Sequence, residues 1–81
     1  MLFVTLLQPK GKGEEAVKYL KTLKPPKGIK IHDMVFTFGR YDAVIVFESP
    51  DVKTAMNFVM QVAFTTGYMA ETLTGIAANE V

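Results

Sequence analysis

Thr37, Arg40, Tyr41 and Asp42 lie within six consecutive residues around Gly39, so one bend of the chain carries a hydroxyl, a guanidinium, a phenol and a carboxylate. A carboxylate shielded from water either takes up a proton or holds a donor, so such a bend could do acid–base work or bind a polar ligand. His32, the sole histidine, is close enough in sequence to join it. His32, Tyr41 and Asp42 are the catalytic candidates; Thr37, Arg40, Asp42, Glu48, Met56 and Met60 are the ligand-binding candidates. Each also has a purely structural alternative. Asp42 could lock the bend by accepting from Thr37 or turn amides, as short polar side chains near turns do. Tyr41 could be a packing aromatic, and Glu48 could interact with the helix start that follows it. Met56 and Met60, with Phe64, could line an apolar cavity or simply pack a helix on a sheet. A metal site would need further His or Cys ligands, and the chain has no cysteine, so no metal is expected. No P-loop, dinucleotide fingerprint or nucleophile elbow occurs, and no cofactor is expected either.

The elements that must position these residues are readable from periodicity. Residues 1–8 form a nearly continuous apolar run, as in a strand covered on both faces and therefore central. Residues 9–13 break it. Glu14 and Glu15 then suit a helix N-terminus, and Ala16, Val17, Leu20 and Leu23 make one apolar stripe that Pro25-Pro26 stops. Residues 29–38 and 41–48 read as a hairpin through a II′-type turn at Gly39-Arg40. With a loop of two or four residues, a regular register sets Thr37 opposite Asp42, Phe36 opposite Ala43 and His32 opposite Phe47. One face then collects His32, Met34, Phe36, Phe38, Tyr41, Ala43, Ile45 and Phe47; the other collects Ile31, Asp33, Val35, Thr37, Asp42, Val44, Val46 and Glu48. Ser49 reads as an N-cap with Pro50 at N1, opening a second helix that runs to Thr66 with Gly67 at its C-cap. Its stripes, Val52-Ala55-Val59-Ala63 and Met56-Met60-Phe64, predict burial over more than half its girth. A last, edge-like strand covers about residues 69–78.

The order βαββαβ is the ferredoxin-like α+β signature: a four-stranded antiparallel sheet, strand order 4-1-3-2, with two helices on one face. The chain is a single domain over residues 1–81. Two helices cover one face of such a sheet, yet both faces read as apolar, and the pattern does not choose between them. The expectation is a homodimer packed sheet to sheet, a dimeric α/β barrel, with higher assembly left open. The absence of cysteines closes the disulfide route to stability that small domains often take, which strengthens that expectation.

Thr37 to Asp42 followed by Glu48-Ser49-Pro50-Asp51 resembles the GYD domain family, named for a Gly-(x)-Tyr-Asp element carried here by Gly39, Tyr41 and Asp42. Gly67 through Thr72-Leu73 resembles the family's later strand, while the first half of the chain is similar only in pattern. The resemblance implies a dimeric α/β barrel in small bacterial and archaeal proteins, without an agreed activity. Where the family's last strand often continues with an arginine, Thr74 and Gly75 follow here, so an anion-binding role for that strand is not expected.

Composition narrows partners further. Net charge is +1, but residues 1–30 hold seven lysines against Glu14 and Glu15. These lysines lack the interleaved aromatics and arginines that nucleic-acid readout uses, so a solvated helix face is preferred to a polyanion patch. No apolar run reaches the roughly 18 residues of a membrane span, and no export signal is visible, so the expected location is cytoplasmic. The favoured function is a small-molecule-binding or regulatory and assembly module. The alternatives are a cofactor-independent oxygenase or isomerase acting on a small apolar substrate, and polyanion binding through the lysine-rich half. Whether the chain is an enzyme stays open at this level.

Overall fold

A computed structural model describes residues 1–8 and 13–81, so the chain break expected at residues 9–13 lies, but for Gly13, outside the described residues. The elements are β1 (Leu2–Gln8), α1 (Gly13–Lys21), β2 (Lys30–Phe36), β3 (Ala43–Glu48), α2 (Val52–Thr66), β4 (Met69–Gly75) and a short 3-10 helix (Ala78–Glu80). The sheet order is β2-β3-β1-β4, with every neighbouring pair antiparallel. This is the ferredoxin-like arrangement, with β1 and β3 in the centre.

Alternation along β1 and β3 decides the core. Phe3, Thr5, Leu7, Ala43, Ile45 and Phe47 are buried toward the helices. Phe3 and Phe47, opposite each other across β1 and β3, stack with ring centroids 5.4 Å apart, and Phe58 of α2 meets Phe47 edge-on at 5.0 Å. Fully burying a side chain of this size contributes about 1.5–3 kcal/mol. Thr5, the buried polar residue of this layer, shares a 2.9 Å hydrogen bond with Thr72 on the adjacent strand. The opposite face carries Leu2, Val4, Leu6, Val35, Val44, Val46, Met69 and Leu73, and no helix covers it.

The hairpin departs from the regular register at one end. From Phe36–Ala43 to Asp33–Val46 the expected pairs form, but a bulge at His32 then sets Ile31, not His32, opposite Phe47. Ile31 thereby packs against the core while His32 stays exposed. The gain is physical: an aliphatic side chain replaces an imidazole that would have been buried without a partner. At the other end the register holds: β2 stops at Phe36, and residues 38–41 form a four-residue loop closed by the Thr37 amide donating to the Asp42 carbonyl at 2.8 Å, which keeps Thr37 across from Asp42 as expected. Gly39, at φ +137°, occupies backbone space that side-chain-bearing residues rarely enter.

Both helices differ in detail from their expected limits. The α1 helix ends at Lys21, before the prolines, where the Thr22 hydroxyl donates to the Lys18 and Tyr19 carbonyls. Asp51, not Ser49, caps α2: its carboxylate accepts from the Thr54 amide at 2.7 Å, and the Ser49 hydroxyl instead donates to the Asp51 carbonyl. Gly67 ends α2 in the left-handed conformation, φ +73°, as anticipated. The buried face of α2 is Ala55, Phe58, Val59 and Val62. Val52, Met56, Met60 and Phe64 are exposed, which corrects the expectation that this helix is buried over most of its girth. The last strand ends at Gly75 rather than near residue 78.

Candidate functional site

The candidate residues separate into three places. Asp42 and Thr37 border a cup of about 370 Å³ between the end of the hairpin and the start of α1, completed by Gly13, Val17, Phe36, Phe38 and Tyr68. Tyr68 enters because Gly67 turns the chain out of α2, leaving the next residue to pack into the core at 4% exposure. Burial first, and the nearby Asp42 carboxylate second, raise the Tyr68 phenol above its ordinary pKa, so it remains a neutral hydroxyl. Among the described residues neither the Asp42 carboxylate nor the Tyr68 hydroxyl has a hydrogen-bond partner. The expected locking of the bend is done by other groups: the Thr37 hydroxyl donates to the Tyr41 carbonyl, and the Asp42 backbone carbonyl accepts the Thr37 amide. The acid side chain is left for the cup.

Tyr41, although adjacent to Asp42, serves the other side of the sheet. Its hydroxyl donates to Glu71 Oε1 at 3.0 Å, and Glu71 pairs with Leu6 on the face without helices. The Arg40 guanidinium lies 5.9 Å from the Tyr41 ring centroid, a cation–π contact. The hydrogen bond to Glu71 is the main cause that raises the Tyr41 pKa; desolvation adds to it and Arg40 opposes it. Tyr41 was expected beside Phe36 and Ala43; with the strand not yet begun at position 41, alternation does not apply there.

His32 and Glu48 form the third place. His32 Nε2 lies 3.3 Å from Glu48 Oε2, so Glu48 engages the bulge of β2 rather than the start of α2. The pair borders an open depression of about 490 Å³ with Leu2, Val46, Ile76 and Glu80. Met56 and Met60 border none of these cavities; they are exposed on α2. His32, Tyr41 and Asp42 therefore do not converge. No cluster of three or more metal-ligating side chains occurs among the described residues.

Sequence reasoning found Asp42 and Thr37 but missed Tyr68, Val17, Phe36 and Phe38 as their companions. The signal available was faint: Tyr68 follows the C-cap glycine directly, a position where the next side chain folds back on the helix end. Nothing local says that the helix end meets the hairpin.

The architecture defines a ferredoxin-like α+β fold whose Gly39, Tyr41 and Asp42 bend stands beside a largely apolar cup bordered by Asp42 and Tyr68. The sequence model of the GYD domain matches residues 5–81, and the chain belongs to that family. The match extends well into the first half of the chain, where the resemblance had rested on pattern alone. No match was found among curated proteins or among solved structures. No helix of the described residues is long and apolar enough to cross a membrane.

Proposed function

We propose that the chain is a homodimeric small-molecule-binding module, serving a regulatory or assembly role, in which two copies pack their helix-free sheet faces together as a dimeric α/β barrel. The observation that carries this is the uncovered apolar face: Leu2, Val4, Leu6, Val44 and Val46 lie at its centre, with Val35, Met69 and Leu73 about half exposed. Four strands of seven or six residues span roughly 19 by 23 Å at usual strand spacings. That is about 440 Å² in projection, a little over half of the roughly 800 Å² that each partner of a stable complex buries, so the side chains at the rim of the face would have to supply the rest. A second copy fits it best because an identical sheet supplies matching aliphatic side chains at aligned packing. Lys30, Asp33, Glu48 and Glu71 lie toward its margins, where charge can stay hydrated. The ligand would occupy the Asp42–Tyr68 cup of each copy. A cytoplasmic location belongs to the same proposal and suits a cysteine-free chain.

Light scattering tests the assembly. The expected mass at tens of micromolar is twice the 9.0 kDa of one chain, and a stable monomer there overturns the dimer. Val46→Glu, which puts a charge in the middle of the face, is expected to give a folded monomer. Native mass spectrometry of the freshly purified protein tests for a retained small molecule. An acid–base enzyme built on His32, Tyr41 and Asp42 is disfavoured by their separation onto three sites.

A further inference from the structure

Resting on the small-molecule reading above, we propose that the Asp42–Tyr68 cup selects a small organic amine, its ammonium held by Asp42 and its apolar body by Phe36, Phe38 and Val17. Several independent features agree. Tyr68 is more than nine-tenths buried and lines the cup, and among the described residues its hydroxyl has no partner, so it is open to a ligand group there. The Asp42 carboxylate is an acceptor only, and a phenol oxygen can accept as well, so the two offer acceptors to a group rich in donors. An ammonium has three donors and no acceptor; a carboxylate or phosphate would meet the Asp42 charge directly. The apolar wall includes two phenylalanine rings, and aromatic faces attract cations by about 0.5–1 kcal/mol or more. Phe38 stands fully exposed at the tip of the hairpin, and Phe36 and Val17 are partly exposed, which is expected of a wall that a ligand covers.

The N-terminus of α1 presents the opposing influence, because helix N-termini attract anions. Glu14 and Glu15 follow Gly13 in the first turn of α1 and offset it. The Arg40 guanidinium is turned away, over Tyr41 on the far side of the sheet. A cup of about 370 Å³ lies at the small end of ligand sites and suits a molecule of one ring rather than a nucleotide.

The test is an amide NMR titration of the natural chain with three probes of equal shape: benzylamine, benzyl alcohol and benzoate at neutral pH. Benzylamine is expected to shift the signals of Gly13, Thr37, Asp42 and Tyr68 saturably, at least ten-fold tighter than benzyl alcohol, with benzoate weakest. Asp42→Asn is expected to weaken benzylamine at least ten-fold, and Tyr68→Phe to weaken it several-fold. Should Asn at position 42 disturb folding, the comparison of probes on the natural chain decides alone. Equal binding of the alcohol or benzoate overturns the ammonium preference while leaving the cup a ligand site. No shift with any probe overturns both, and a monomer that still binds benzylamine separates the fate of the cup from that of the dimer.

Discussion

Asp51 holds the start of α2 with a single carboxylate, and its acidity follows from that geometry. The hydrogen bond from the Thr54 amide, then that from the Thr54 side chain, hold its pKa below the ordinary carboxylate value, with Lys53 adding slightly and desolvation opposing. A carboxylate whose pKa is lower folded than unfolded stabilises the fold fully above its unfolded pKa, near 3.9, and loses that contribution as pH falls through the folded value. Thermal melts from neutral pH down to strong acid are therefore expected to show Asp51→Asn, which retains a capping oxygen, melting close to the natural chain at neutral pH with a shallower acid decline. Asp51→Ala is expected to melt lower at neutral pH because the cap itself is gone. Ser49 was the better N-cap by position, directly before a proline suited to N1. What the sequence hid is that Ser49 is buried as the link between β3 and α2, its amide donating to the Met1 carbonyl, so the helix begins later. Asp42 was legible as a residue with chemistry, because a carboxylate beside a glycine bend in an apolar hairpin needs an explanation. Its neighbour Tyr68 was not, since the two are brought together only by the folding of separate elements.

The α2 helix gives the sharpest contrast between pattern and packing. Phe58 is buried against Phe47, whereas Phe64, nearer the C-terminus, is largely exposed. Phe58→Ala is expected to cost about 3–5 kcal/mol in denaturant unfolding. Phe64→Ala is expected to stay within about 0.5 kcal/mol. Equal costs would mean that the outer stripe is buried. The phase was in fact legible: Lys53, Asn57, Gln61 and Thr65 recur every four residues as one exposed polar stripe, and the apolar Val52, Met56, Met60 and Phe64 lie beside it on the same outward side. Its C-terminus was legible, because a glycine closing a helical run is a strong stop signal. Gly67→Ala is expected to cost about 1 kcal/mol, the penalty for a side chain in left-handed backbone. The cost is backbone alone, since a Cβ at position 67 meets nothing within 4 Å. For α1 the stripe was legible in Ala16 and Leu20, which are buried, while Val17 turned out to face the cup.

At the scale of the whole molecule, the strand order followed from the βαββαβ succession of elements, and composition agreed with it. The two most apolar runs, in β1 and β3, are the two middle strands. The existence of two greasy faces was legible as well, and the fold assigns the helices to the one carrying Phe3, Ile45 and Phe47. What fills the other face is a matter for the solution mass, with Val46→Glu as the decisive variant. The register of β2 failed at one residue, because counting along a strand cannot register a position that the ladder skips. That skipped position has an evolutionary and practical corollary. His32 is the one residue of β2 with no counterpart on β3, so excising it would leave Ile31 opposite Phe47 and Asp33 opposite Val46 as they are now. A chain shortened there by a single codon is expected to keep every remaining neighbour and melt within a few degrees of its parent, whereas the same excision at Met34 would turn half the strand inside out. Length differences among related sequences should collect at this point of the sheet.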